Sequence, residues 1–263
     1  MKVEVFMGST GDTCGISVCM ATYNGGKFIE AQIGSILPQL SNGDEIIVVD
    51  DASQDDTVEK IQSLGDPHIR ITRNEKNLGV IKSFEKALML ARNNIIFLSD
   101  QDDIWRADKV RSISPVFEQR PEIMLVVSNG ELIDEAGTLM NTRIHNESNA
   151  PMHPFANLVK NRYHGCMMTF RRDILKVALP FPADIPMHDS WLGLVAATVG
   201  RAEYLNQPLV FYRRHSSNVT SGRHGPVAKM IGDRWGLLKN IVLRCRAPLM
   251  ARLLDHRIAI KEP

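Results

Sequence analysis

Three carboxylates crowd into four residues in Ser99-Asp100-Gln101-Asp102-Asp103, directly after the largely apolar run Asn94-Ile95-Ile96-Phe97-Leu98. The run reads as a buried β-strand, so the acids sit at a strand's end. Like charges this close repel one another, and a positive partner among them removes the penalty. A hard divalent cation suits the place, because Mg²⁺ or Mn²⁺ takes oxygen ligands and keeps positions open for substrate phosphates. The other reading of such a cluster is a solvated acidic turn. Two more polar clusters end apolar runs in the same way, Thr22-Tyr23-Asn24-Gly25-Gly26 and Asp50-Asp51-Ala52-Ser53.

The elements that must carry these clusters alternate through the first hundred residues. Gly15 to Met20 reads as a strand, about Lys27 to Leu37 as a helix, and Asp44 to Val49 as a second buried strand. A helix starts at Asp55-Asp56-Thr57, with acids in its first turn as the helix dipole prefers, and runs through Leu64. His68 to Thr72 is a short strand, and Gly79 to Arg92 a helix with Phe84, Leu88 and Leu90-Ala91 on one side. This alternation predicts an α/β fold, a mostly parallel central sheet flanked by helices. Ligands of such sheets bind beyond the carboxyl ends of the strands, where all three polar clusters lie.

The second half is less regular. Strands are expected at Met124–Ser128, Gly165–Phe170, Ala202–Leu205 and Leu209–Tyr212, with a short helix from Arg172 to Ala178 and an apolar one from Ser190 to Val199. Asn141 to Pro154 reads as a polar loop.

At 263 residues, 44% hydrophobic and 23% charged, the composition is that of a soluble globular protein with a sizeable core. Net charge is only +1, but from Arg223 onward nine Lys/Arg face three Asp/Glu, about +6, so the body carries about −5. An acidic body argues against a nucleic-acid binder. Cys14, Cys19, Cys166 and Cys245 form no CxxC pair or zinc spacing, and scattered thiols fit a reducing, cytoplasmic setting. No run approaches the ~20 apolar residues of a membrane span. Residues 1–14 read as a flexible leader, and the sequons at Asn146 and Asn218 carry little weight.

Several segments together resemble family 2 glycosyltransferases. They are Val18-Cys19-Met20-Ala21-Thr22-Tyr23-Asn24-Gly25, Ile46-Ile47-Val48-Val49-Asp50-Asp51-Ala52-Ser53 with Asp55 and Thr57, and Phe97-Leu98-Ser99-Asp100-Gln101-Asp102-Asp103-Ile104-Trp105. Lys109, four residues past Trp105, His188-Asp189-Ser190-Trp191-Leu192, and Pro208-Leu209-Val210-Phe211-Tyr212-Arg213-Arg214-His215 with Asn218 extend the match. The order and spacing are similar to the rhamnosyltransferase-like branch of bacterial surface-polysaccharide enzymes.

The resemblance implies a GT-A fold and inverting transfer from a nucleotide sugar, dTDP- or UDP-linked, to a glycan or lipid-linked glycan hydroxyl. It implies residues 15–222 as the catalytic domain, with a nucleotide-sugar half (15–105) and an acceptor half (106–222). Asp102 then ligates the metal directly, and Asp100 touches the ribose or a metal-bound water. Asp51 accepts the imide N–H of a uracil or thymine base, while Thr22, Tyr23, Asn24 and Asn77 line the nucleotide. Asp50 ties down the loop. Asp103 either joins the acids or caps the turn before Ile104.

Asp189 aligns with the family's catalytic base, which an acid usually precedes; here His188 precedes it, to orient Asp189 or touch the donor. His215 is a further metal ligand or diphosphate contact, and Arg213 a contact to phosphate oxygens. Gly165 permits close approach of a sugar, and Cys166 is a small buried residue.

Residues 223–263 interleave Lys/Arg with apolar residues, and Pro248 divides them into two helices. Such a basic amphipathic tail binds an anionic membrane surface, packs on the core, or pairs two subunits. Two rivals to the transferase are a nucleotidyltransferase, for which Thr22-Tyr23-Asn24-Gly25-Gly26-Lys27 is a poor phosphate loop, and a sugar-nucleotide-binding module without catalysis.

Overall fold

The computed structural model describes residues 15–146, 152–216 and 227–246. The leader, Cys14, the sequon at Asn218 and the tail beyond 246, with Pro248, lie outside these residues. The first half runs β1 (Ile16–Thr22), α1 (Ile29–Ile36), β2 (Glu45–Asp50), α2 (Thr57–Ser63), β3 (Ile69–Arg73), α3 (Val80–Leu90) and β4 (Ile95–Ser99). The second runs β5 (Ile104–Trp105), α4 (Lys109–Gln119), β6 (Ile123–Ile133), β7 (Leu139–Arg143), α5 (Pro154–Val159), β8 (Met168–Arg171), α6 (Leu175–Ala178), α7 (His188–Val199), β9 (Arg201–Arg213) and α8 (Val227–Arg244). Among the described residues these strands form one sheet in the order β3-β2-β1-β4-β8-β6-β9-β5, with β7 paired to β6.

β1 to β4 are mutually parallel, and nearly every residue of β1, β2 and β4 is buried, as strands covered on both faces must be. Their register sets the rim. Met20 stands beside Ser99 and Thr22 beside Asp50, so the three polar clusters leave the sheet at one edge. α3 presents Phe84, Ala87 and Leu88 to the core. It starts at Gly79, whose φ of +86° is a left-handed conformation that suits glycine.

The second half departs from the expected elements in physically readable ways. Residues 165–167 are a 3-10 turn rather than strand, and only Met168 onward joins the sheet, antiparallel to β4 and β6. The two short strands expected near the end are one long β9, parallel to β6 and interrupted by register shifts around Asn129. Those shifts break the period-2 pattern that would mark a single strand. α4 carries no apolar period in its sequence because Lys109 occupies a core position of its Lys109–Ile113–Phe117 stripe. β7 is exposed throughout and shows no alternation.

α8 packs one face on the body. Leu237, Ile241 and Cys245 are buried, Asn240 donates to Asp184 at 2.7 Å, and Arg234 donates to the Leu158 carbonyl at 2.7 Å. Its other face leaves Ile231, Trp235 and Leu243 exposed with respect to the described residues.

Candidate active site

A cavity of about 690 Å³ opens at the carboxyl end of the parallel strands, lined by Thr22, Tyr23, Asn24, Asp51, Asn77, Asp100, Asp102, Gly165, His188, Asp189 and His215. These include every residue given a nucleotide, metal, sugar or catalytic role by the resemblance except Arg213, with Asp103 also outside the lining. The positions span almost two hundred residues of chain, and the sheet register brings them together.

At the β2 end, the tight turn after Asp50 places Ala52 at φ +63°, a left-handed conformation uncommon for a residue with a Cβ. Asp50 is buried and accepts Ser53 N–H at 3.0 Å and the Thr22 hydroxyl at 3.3 Å, so it ties down the loop. Asp51 accepts from Asn74 Nδ2, the Leu78 amide and the Gly79 amide, each at 2.8 Å. Burial alone would raise its pKa, but these donors hold it below the usual carboxylate range. Asp51 is therefore a fixed anion in the cavity lining, and its Oδ2 accepts only one of these bonds.

Gly25 and Gly26, in a segment that is a poor phosphate loop by sequence, serve another purpose. Their amides donate to Thr57 Oγ1 at 2.8 Å and Asp55 Oδ2 at 3.0 Å. A Cβ at Gly25 would lie 2.3 Å from Gln101, and one at Gly26 2.0 Å from Asp56. Gln101 clamps the loop to the acidic cluster, accepting the Tyr23 N–H at 2.8 Å and donating to its carbonyl at 3.1 Å. No sequence signal marked Gln101 for this role.

The acidic cluster divides its labour. Asp102 Oδ2 meets His215 Nε2 at 2.7 Å. Asp103 turns inward, accepts the Arg213 amide at 2.9 Å and thereby braces β9, rather than capping its own turn, and its side chain also meets Cys166. Burial and the neighbouring Asp102 raise it to about 7. Asp100 is pushed well above the carboxylate range by burial and by Asp103, Asp102 and Asp189.

Beneath them Lys109 is wholly buried, donates to the Cys166 carbonyl at 2.7 Å and lies 4.0 Å over the Trp105 ring. Burial lowers it to about 8. Arg213 does not reach the cavity. Its guanidinium donates to the carbonyls of Asp102 at 2.8 Å and Glu135 at 3.0 Å and lies over the Phe28 ring, so it braces the β9 end.

This donor set fits a hard divalent ion. Carboxylate oxygens and an imidazole converge on one cavity, and the raised Asp100 shows a site short of positive charge. A deeper trio, one ligand atom each from Asp100, Asp103 and Cys166, lies within 4.8 Å of one another. Burial pushes the Cys166 thiol well above its ordinary value, however, so it stays protonated and is a poor partner for Mg²⁺ or Mn²⁺.

At the far side of β4, the 3-10 turn at Gly165 faces the start of α7. Asp189 accepts the Ser190 amide at 2.5 Å and the Ser190 hydroxyl at 3.2 Å, close to the helix's positive end. Burial nevertheless lifts it to about 6. A carboxylate raised to that range is matched to taking a proton near neutrality.

The family model described as Glycosyl transferase family 2 matches residues 17–178, more than half of the chain. The chain belongs to that family. Among curated proteins, this glycosyltransferase is 28% identical over 231 residues to the UDP-Glc:alpha-D-GlcNAc-diphosphoundecaprenol beta-1,3-glucosyltransferase WfgD of Escherichia coli, covering 86% of each chain. It is 28% identical over 244 residues to the dTDP-rhamnosyl transferase RfbG of Shigella flexneri, covering 84% of this chain and 79% of RfbG. Among solved structures, S. aureus TarS 1-349 in complex with UDP-GlcNAc superposes with a TM-score of 0.71 at 17% identity, over 87% of this chain and 66% of that one. The family 2 enzyme thus has the GT-A fold expected from its sequence.

Proposed function

We propose that the protein moves a sugar, with inversion, from a nucleoside diphosphate donor to a hydroxyl of a glycan or lipid-linked glycan during assembly of a bacterial surface polysaccharide. The observation that carries this reading is the convergence of Asp51, the Asp100–Asp102 pair and Asp189 on one cavity. WfgD, by its name, takes UDP-Glc to a diphosphoundecaprenol-linked sugar, and RfbG uses dTDP-rhamnose, which supports either base and a lipid-linked acceptor.

In this reading Asp51 accepts the imide N–H of uracil or thymine, while Thr22, Tyr23, Asn24 and Asn77 line the nucleoside. Asp100, Asp102 and His215 would hold Mg²⁺ or Mn²⁺, which supplies charge neutralisation for the departing diphosphate when bound. Asp189 takes the acceptor hydroxyl's proton. The acceptor oxygen forms its bond to the anomeric carbon as the bond to the diphosphate breaks.

A nucleotidyltransferase is disfavoured because the Gly25 and Gly26 amides are already bonded within the protein. No helix among the described residues is long and apolar enough to cross a membrane. The outer face of α8, with Ile231 and Trp235 exposed and Lys239 one turn past Trp235, would instead meet the anionic inner face of the cell membrane or a second copy of the chain. Co-sedimentation with phosphatidylglycerol vesicles and light scattering separate those partners.

The deciding experiment is calorimetric titration with UDP and dTDP, with and without Mn²⁺. Metal-dependent binding of one nucleotide supports the reading. Binding of neither refutes it.

A further inference from the structure

His188 is 4% exposed, lines the cavity and stacks on Phe84 with ring centroids 4.0 Å apart. Neither of its ring nitrogens has a hydrogen-bond partner among the described residues. An unpartnered buried polar group is costly, and persists in native structures where something outside the protein completes it. The ring does not orient Asp189, which is held by Ser190 instead.

Surrounding contacts say where the missing partner sits. A Cβ added at Gly165 would lie 3.3 Å from His188 Nε2 and 3.8 Å from Asp189 Cβ, so the bare glycine leaves space over that nitrogen. On the transferase reading, Asp189 must reach the acceptor hydroxyl beside the reacting sugar carbon. The residue before it, opening on the same glycine, then faces the donor sugar and not the base, which belongs to Asp51 just past β2, beyond β4 and β1.

Charge narrows the class. Burial drives the imidazole down to about 3, so it is a neutral group with one N–H and one bare nitrogen. The basic residues lining the cavity are already engaged elsewhere, Lys27 with Glu135 and His215 with Asp102. A sugar carboxylate at this end would face Asp189 with no uncommitted basic side chain of the lining to answer it.

We propose that His188, held by Phe84 and uncovered by Gly165, is the donor-sugar reader of this enzyme and selects an uncharged sugar through a hydroxyl. The inference rests on the transferase reading of the cavity.

The test compares nucleotide with nucleotide sugar, in Mn²⁺ and without acceptor. UDP, dTDP, UDP-glucose, UDP-GlcNAc, UDP-glucuronate and dTDP-rhamnose are titrated into the parent, His188→Phe and His188→Gln. Phenylalanine keeps the stack on Phe84 and removes both nitrogens; glutamine keeps a donor and an acceptor. The expected result is unchanged affinity of His188→Phe for the bare nucleotide and a roughly 3- to 10-fold loss for the best uncharged nucleotide sugar. Partial recovery in His188→Gln and no gain of UDP-glucuronate over UDP in the parent complete the expected pattern.

A His188→Phe protein that binds the nucleotide sugar as well as the parent overturns the inference alone. An equal loss for the bare nucleotide also overturns it, by moving His188 to the nucleotide. Failure of every nucleotide and nucleotide sugar to bind the parent refutes the donor-site reading itself, and this inference with it.

Discussion

Replacing Asp189 with Asn tests both the chemistry and the electrostatics of the site. The parent carboxylate is raised from 3.8 to about 6, chiefly by burial. At about 1.4 kcal/mol per pKa unit, keeping it ionised in the folded protein costs at most about 3 kcal/mol. The sign follows from proton counting. Between the unfolded value near 4 and the folded value near 6 the native state holds the extra proton, so this group's contribution to stability falls as pH rises through that window.

An amide has no ionisation to oppose, and its oxygen still accepts the Ser190 N–H. Asp189→Asn is therefore as stable as the parent, apart from a constant offset, below about pH 4, and gains on it up to about 3 kcal/mol by pH 7–8. Urea unfolding of both proteins at half-unit pH steps measures the gap. Transfer should fall about 10²- to 10⁴-fold with donor affinity retained, and the acidic limb of the parent's rate profile should lie near pH 6. A stability gap that is the same at every pH would refute the buried-carboxylate argument. Turnover equal to the parent's would refute Asp189 as the base.

Asp102→Ala removes the carboxylate paired with His215, and calorimetry should show metal-dependent nucleotide binding weakened more than tenfold. Lys109→Met leaves Asp100 and Asp103 without their buried counter-charge and should destabilise the fold by about 3–5 kcal/mol in urea unfolding, least at low pH where both acids are protonated. Asp51→Asn cannot accept as an anion from three donors, so the loop before α3 should loosen at a cost of about 1–3 kcal/mol. Because Asp51 is held below its ordinary value, the parent's stability advantage over that variant is present above pH 4 and lost as pH falls further. Gly165→Ala sets a methyl 3.3 Å from His188 Nε2 and should lower nucleotide-sugar affinity several-fold while sparing the bare nucleotide, measured by titration.

Much of the first half was legible because its signals are local. Buried parallel strands read as apolar runs, and each ends in a polar cluster that cannot enter the core. Parallel strands linked by helices put those ends on one rim whatever the loops do. That is why Asp51, Asp100 and Asp102 could be placed in a shared site from residue order alone. Lys109 shows the opposite case. A lysine on a helix stripe reads as surface, and only the packed structure shows it under the acids, where Trp105 and the Cys166 carbonyl receive it.

What the sequence by itself determined is the α/β alternation, the rim and the family, because strand ends, turn residues and acid spacing are written along the chain. Which acid meets His215 and which braces a strand was decided by the tertiary structure. Asp102 and Asp103 are neighbours in sequence, but one meets His215 and the other the Arg213 amide, partners that a distant strand end brings to them. Arg213 was likewise taken out of the site by carbonyls contributed from distant loops. The unpartnered His188 could not be read from the chain at all, because whether a buried group has a partner depends on every element packed around it.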